Sequence, residues 1–266
     1  MNDMELRRPV PKLPYLIRGL HRALSVLRQR WPRLPGGAVR SASAGSANQG
    51  NQAYQIPLEP WHLAFIDSLL MRTPLKNKVV LDIGCGRGEM AREVIRRVGD
   101  VVVHGIDSDL CGMAELQDET GNRLTIRKMD VKRLDFPDAS FDVAYALNVL
   151  EHIDDLEAAY RELKRVVKPG GMLYLYSSPV WTSYRGHHYN HWLDGYADLI
   201  PPWGHLYLGR ERLFEEITRK KGSAVAVDAM NYIFESDYLN RASLSAHKEF
   251  VRASGFRIFS LAVHFL

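Results

Sequence analysis

Val79-Val80-Leu81-Asp82-Ile83-Gly84-Cys85-Gly86-Arg87-Gly88-Glu89 is the stretch from which the rest of this chain can be read. It opens with β-branched residues and Leu, the pattern of a buried strand. Glycines follow at 84, 86 and 88, and Ala91 to Val98 continues with apolar residues at helical spacing. Such a strand, glycine loop and helix can hold a nucleotide, because glycine takes positive φ and lets the backbone approach a ligand. The spacing here is G-x-G-x-G, not the G-x-G-x-x-G of a dinucleotide fingerprint. Asp82 is also the wrong charge for a pyrophosphate, since a carboxylate at the strand end repels an anion as strongly as it attracts a cation. The alternative is that Asp82 merely caps the turn that follows.

A nucleoside that is cationic fits both facts. S-adenosylmethionine carries an ammonium and a sulfonium, and Asp82 suits it. A second apolar strand, Val101 to Ile106, ends at Asp107, placed to take ribose hydroxyls. Four stretches together resemble the class I S-adenosylmethionine-dependent methyltransferases, the branch similar to small-molecule and quinone-pathway enzymes. They are VVLDIGCGRGEMARE (79–93), HGIDSD (104–109), KMDVKRLDFPDASFDVAYALNVLEHI (128–153) and ELKRVVKPGGMLYLYSSP (162–179). The resemblance covers the central portion, not the first ~55 residues nor most of the last ~85.

The resemblance implies a residue set. Asp82, Gly84 and Gly86 line the methionine part of the cofactor, with Cys85 between them as a small structural side chain. Asp107 takes the ribose, helped by Ser108 or Asp109. Asp130 meets the adenine amino group and Val131 packs on the base. Asn148 faces the cofactor through its backbone carbonyl. A turn-forming role for Asp130 remains open.

The chain has 266 residues, room for one large α/β domain with elaborations. No apolar run reaches the ~18–20 residues that span a membrane. Two cysteines, Cys85 and Cys111, are too few for a disulfide framework and suit a reducing, cytoplasmic setting. The net charge of +4 hides an asymmetry: from Leu6 to Leu58 there is no Asp or Glu, while Arg7, Arg8, Lys12, Arg18, Arg22, Arg28, Arg30, Arg33 and Arg40 fall there. The basic character belongs to an N-terminal arm, so the core lacks the basic groove expected for nucleic acid.

Within that arm (1–35), Leu13, Leu16, Ile17, Leu20, Leu24, Leu27 and Trp31 recur at helical spacing, and Pro32 stops the run. Three readings fit this basic amphipathic helix: contact with an anionic inner membrane face through residues 12–33, an organelle transit peptide, or docking on the catalytic domain or a partner. Residues 36–55 are rich in Gly, Ala, Ser and Asn and read as a flexible linker. The methyltransferase domain then runs over 56–266, with a substrate-lid insertion at about 179–240.

Trp61, Phe65, Leu69 and Leu70 mark a helix before the first strand. Strands at 79–83, 101–106, 123–129, 141–147 and 171–178 alternate with helices at 88–98, 109–118 and 154–167. This predicts an α/β fold, a Rossmann-like doubly wound, mostly parallel sheet with helices on both faces. Asp154 or Asp155 caps the third helix. Arg210 to Lys221 and Ser245 to Ser254 read as helices, and Arg257 to Phe265 as a last strand. Its antiparallel partner is either missing or supplied by Ser223 to Phe234.

Three histidines are candidates for catalysis. His152 closes Asn148-Val149-Leu150-Glu151-His152 after the fourth strand, and an imidazole titrates near neutrality. Some quinone-pathway relatives hold a divalent metal with Glu-x-x-Glu-His here. This chain has Asn148 in place of the first Glu, which favours a structural Glu151 and no metal. His187 and His188 lie in Ser177 to Trp192, a loop-like stretch dense in aromatics and histidines that suits a binding cleft. His187 and His191, at i and i+4 with Asp194 nearby, raise a zinc alternative. The resemblance implies methyl transfer, and the aromatic, histidine-rich segment and the basic arm direct it to an oxygen of a small-molecule, sugar or lipid-linked acceptor. The alternatives are a quinone, phenol or natural-product acceptor, or a non-catalytic cofactor-binding subunit. The Asn/Asp-Pro-Pro-aromatic motif of base-amine enzymes is absent after the fourth strand, which disfavours RNA methylation.

Overall fold

The computed structural model describes residues 58–263, except 111–113, 120, 122, 191, 192 and 194, and gives no side-chain account of 117–119. The basic arm, the linker, Cys111, His191 and Asp194 therefore lie outside the described residues. The chain divides into two units, Met1–Ser68 and Leu69–Leu266. Helix α1 (Pro60–Arg72), where Trp61, Phe65, Leu69 and Leu70 predict a helix, runs from the first unit into the second.

In the second unit the expected alternation forms. It runs β1 (Lys78–Ile83), α2 (Glu89–Val98), β2 (Val101–Asp107), β3 (Leu116–Glu119), β4 (Leu124–Lys128) and β5 (Phe141–Leu147). A single 3-10 turn (Leu150–His152), α3 (Leu156–Val166) and β6 (Val167–Tyr176) follow. The sheet order is β3-β4-β2-β1-β5-β6. Five strands are parallel, and β3 joins the edge antiparallel to β4.

The path β1–α2–β2 steps across the sheet in one direction and β5–α3–β6 in the other. Right-handed crossovers therefore put α2 and α3 on opposite faces. The strand order reverses between β1 and β5, and beyond the carboxyl ends of the strands at such a reversal is where open α/β sheets bind ligands.

Periodicity explains the helices. α3 buries Leu156, Ala159, Tyr160, Leu163 and Val166, one stripe of its surface, against Leu81, Ile83, Ala144 and Ala146 of the sheet. Its N-terminus is capped by Asp155, whose carboxylate accepts from Ala158 N at 2.9 Å. Near its C-terminus, Arg165 donates to Leu134 O and Phe136 O and pairs with Glu162 and Asp138, tying the helix to the β4–β5 loop.

Two expectations fail. The helix at 109–118 is replaced in part by β3, which pairs Leu116 with Ile126 and Gln117 with Thr125. Gly121, at φ +71, lies in the reversal between β3 and β4. A glycine turn between two short runs is a hairpin signal, and it overrides the weak helical spacing. The strand at Arg257–Phe265 is also absent over 257–263, where Phe259 is 95% exposed. Alternating residues make a strand only where an edge offers them backbone partners. The offered partner, Ser223 to Phe234, is helical instead.

After β6 come α4 (Gly204–Tyr207), α5 (Arg210–Lys221), α6 (Ser223–Met230), a π turn (Asn231–Glu235) and α7 (Leu244–Ala253). Residues 189–233 build a second core from Tyr189, Leu199, Ile200, Leu213, Ile217 and Ile233 among others. Tyr189 donates its hydroxyl to Asp228 at 2.7 Å and thereby fastens the aromatic loop to α6.

Candidate cofactor site and acceptor face

Asp82 is the last polar residue of β1, flanked in register by Gly105 of β2 and Tyr145 of β5. It is 3% exposed, and its Oδ2 is buried without a hydrogen bond of normal geometry. Burial raises its carboxyl to about 7, against the pull of the neighbouring Tyr145 hydroxyl; the nearby acids Asp107 and Glu89 push the same way as burial. A buried carboxylate in this state favours a cation beside it.

The loop is fixed by the end of β2. Gly84 N and Cys85 N both donate to Ile106 O, at 2.8 and 3.0 Å. Gly86 N donates to Asp107 Oδ2 at 2.9 Å, and Asp109 N to Asp107 Oδ1 at 3.0 Å. Gly84 and Gly86 take φ of +67 and +53, the left-handed region that disfavours side chains. Their surroundings differ. A Cβ on Gly84 would land on Val149 Cγ2, whereas one on Gly86 would meet nothing within 4 Å. Gly84 lets the loop pack against the β5 turn, and Gly86 faces open space.

Cys85 is buried, and burial with the Asp82 and Asp107 charges pushes its thiol well above the usual range. It is a small protonated side chain, and Gly105 makes room for it: a Cβ there would lie 2.7 Å from Cys85 Sγ.

The remaining expected cofactor residues fall at the same end of the sheet. Ser108 is exposed after β2. Asp130 follows β4, where its Oδ1 accepts from Lys132 N at 2.9 Å and its carboxylate pairs with Lys132. Val131 is buried in the main core. Asn148 follows β5 at φ +54; its N donates to Tyr176 O and its Oδ1 accepts from Ser178 N, joining the ends of β5 and β6. Tyr145 and Gly105 were not among the residues expected from sequence. A glycine inside a strand signals a close approach, and aligning the ends of β1 and β5 would have put Tyr145 beside Asp82.

The residues expected to act in catalysis adjoin this row. Glu151 is buried, takes the Ser177 hydroxyl, and has its carboxyl raised by burial. His152 is half-buried; its Nδ1 lies 2.8 Å from Tyr238 O. The His152 ring sits 4.4 Å from the Tyr238 ring and edge-on to His188 at 5.5 Å. His188 Nε2 is 2.6 Å from Pro179 O, and His187 Nδ1 accepts from Tyr189 N at 3.1 Å. His187 packs instead against His205, whose Nε2 bonds Trp181 O. His188 thus meets His152, while His187 is drawn into the fold of its own loop. The aromatic stretch is more deeply buried than a cleft wall alone requires, because His187, His188, Tyr189 and His205 hold that loop together. Among the described residues, no group of three His, Cys, Asp or Glu is close enough to hold a metal ion.

The donor set suits S-adenosylmethionine: a buried carboxylate with no cation paired to it among the described residues for its positive end, open space over Gly86, and a carboxylate on the neighbouring strand end. Fold and donor set fit the resemblance to the class I S-adenosylmethionine-dependent methyltransferases. Residues 81–175 match the family described as Methyltransferase domain. Over 102 residues the chain is 40% identical to the sterol 24-C-methyltransferase of Yarrowia lipolytica, covering 36% of this chain and 26% of that protein. Over 101 residues it is 38% identical to the 27-O-demethylrifamycin SV methyltransferase of Amycolatopsis mediterranei, covering 36% and 37%. A solved SAM-dependent methyltransferase of Methanosarcina mazei is 26% identical, with TM-score 0.34, covering 45% of this chain and 57% of that one. The chain spans between 26% and 38% of the length of the sterol enzymes it matches.

Proposed function

We propose that this protein transfers a methyl group from S-adenosylmethionine to an oxygen of a bulky small-molecule or lipid-linked acceptor. The observation that carries the reading is Asp82, beside the glycine loop, a buried carboxylate whose Oδ2 has no hydrogen-bond partner among the described residues. Bound S-adenosylmethionine supplies an activated methyl group. Asp82 balances the positive charge at the methionine end, with Gly84, Cys85 and Gly86 as the floor. Asp107 takes the ribose hydroxyls, with Ser108 at its side. Asp130 and Val131 bracket the adenine, and the Asn148 carbonyl closes the inner wall.

On the acceptor face the geometry favours His152 as the base. Its Nδ1 faces a carbonyl, so the proton of the neutral ring sits there and Nε2 carries the lone pair. A hydroxyl proton leaving the acceptor passes to that nitrogen. His188 orients the ring from the side, and His187 shapes the 179–240 segment that we assign as the lid. A lipid-linked acceptor would be met at an inner membrane face through the basic arm at 12–33.

A second reading is methylation at carbon, favoured by the 40% identity to a sterol 24-C-methyltransferase. The test is methyl transfer from tritiated S-adenosylmethionine to a glycolipid, a phenol, 27-O-demethylrifamycin SV and a sterol. Label on an ether oxygen supports the first reading, and label on a sterol carbon replaces it with the second. No label on any acceptor, with cofactor bound, leaves a non-catalytic binding subunit.

A further inference from the structure

We infer that the segment Tyr238–Arg241, at the C-terminal end of the proposed lid, is a tautomer lock for His152. The inference rests on His152 being the base in the reading above. A carbonyl oxygen only accepts, so the 2.8 Å contact between His152 Nδ1 and Tyr238 O requires the proton on Nδ1. The basic lone pair is then on Nε2. The partner carbonyl lies 86 residues away in sequence, so something must hold it there.

Asn240 does the first part. Its backbone N donates to Glu151 O at 3.0 Å. Its side-chain Nδ2 donates to Leu150 O at 2.5 Å and to Ile153 O at 2.9 Å, and its Oδ1 accepts from Ala242 N at 2.9 Å. The amide has one sensible orientation, because a flip would set Oδ1 against two carbonyls. These bonds surround the 3-10 turn that carries His152 on both sides.

Arg241 does the second part. Its guanidinium donates to Ile233 O at 2.9 Å, Leu239 O at 3.1 Å and Ser236 O at 2.7 Å. Those carbonyls span the π turn and the loop after it, so one side chain closes the loop that presents Tyr238. The backbone at Arg241 is at φ +56, a conformation that a non-glycine residue keeps only when its surroundings enforce it. Arg is the residue whose fork of donors can reach three carbonyls at once.

The groups facing His152 are therefore Glu151 from its own turn, His188 from the aromatic loop, and Tyr238, its ring tilted against that of Tyr232, from the end of the lid. The hydrogen bonds of Asn240 and Arg241 go to backbone groups and not to the His152 ring. Both are positioning residues, and they couple the seating of the lid's exit to the state of the base.

The test is the nitrogen spectrum of His152 in protein labelled with 15N-histidine, measured at alkaline pH. Wild type shows Nδ1–H with Nε2 bare. Asn240→Asp, which sets a carboxylate against Leu150 O and Ile153 O, and Arg241→Lys, which cannot span three carbonyls, both lose that signature. Removing one such hydrogen bond moves the tautomer ratio by about fivefold. Tyr238→Phe keeps the carbonyl and the ring, so it keeps the signature. S-adenosylmethionine affinity, measured on the same samples, reports whether each variant is folded. A folded Asn240→Asp or Arg241→Lys protein that retains the Nδ1–H pattern overturns the lock, as does a wild-type spectrum with the proton on Nε2. Failure of wild type to bind S-adenosylmethionine would remove the functional reading while leaving the spectrum to decide the lock.

Discussion

Asp82 and Tyr145 stand side by side on adjacent parallel strands, β1 and β5, in register, with the carboxylate 3% exposed. The tyrosine hydroxyl eases the burial of that charge without cancelling it, and the carboxyl rests near 7. The pair lies where the strand order reverses, so the charge stored there is aimed at the ligand crevice.

Stability should show it. An unfolded Asp titrates near ~3.9, and the folded value is about 7. The folded state holds the proton more tightly, so this group's contribution is full below the unfolded value and is lost as pH rises through the folded one. Each pKa unit is about 1.4 kcal/mol, so the loss amounts to a few kcal/mol. Asp82→Asn removes it. Above pH ~8 the ligand-free variant should melt higher than wild type, with the gap narrowing as pH falls toward ~5. The same variant should bind S-adenosylmethionine at least about tenfold more weakly. Thermal melts across pH and calorimetry check the two halves.

Gly84 and Gly86 should separate folding from binding. Gly84→Ala puts a methyl onto Val149 at a positive φ and should cost roughly 2–5 kcal/mol. Val149→Ala in the same chain should recover part of that, as a double-mutant cycle would read. Gly86→Ala meets no protein atom, so it should cost only about 1–2 kcal/mol for the backbone. Its cofactor affinity should nevertheless fall, because the methyl enters the space proposed for the ligand.

The second core at 189–233 should loosen without the sheet. Leu213 and Ile217 are fully buried there. Ile217→Ala should destabilise by about 2–5 kcal/mol. Amide exchange should then speed up in α5 and α6 while β1, β2 and β5 stay protected and S-adenosylmethionine still binds.

Arg165 ties α3 to the β4–β5 loop through two carbonyls and the Asp138 carboxylate, with Glu162 of its own helix beside it. Arg165→Lys keeps the charge but not the fork, and should cost about 1–3 kcal/mol in chemical denaturation.

The parallel strands and α2, α3, α5 and α7 were legible in the sequence because each carries its own period, cap or glycine punctuation. Asp82 and the glycine loop were legible through a charge argument. What escaped depends on contacts between distant segments. β3 exists because Leu116 finds Ile126 across a turn. The strand expected at 257–263 has no comparable partner among the described residues. Tyr145 could be placed only once β1 and β5 were in register. The partner of His152 lies 86 residues away, and no local pattern around Tyr238 announces it. Burial of His187, His188 and His205 likewise depends on a second core that composition alone does not reveal.

The central claim is that the glycine loop reads a cationic nucleoside and not a pyrophosphate. Calorimetric titration of the wild-type protein with S-adenosylmethionine and, separately, with NADH tests it most directly. One S-adenosylmethionine per chain, weakened by Asp107→Ala, with no heat from NADH, is the predicted result. Saturable NADH binding with none for S-adenosylmethionine would contradict the account.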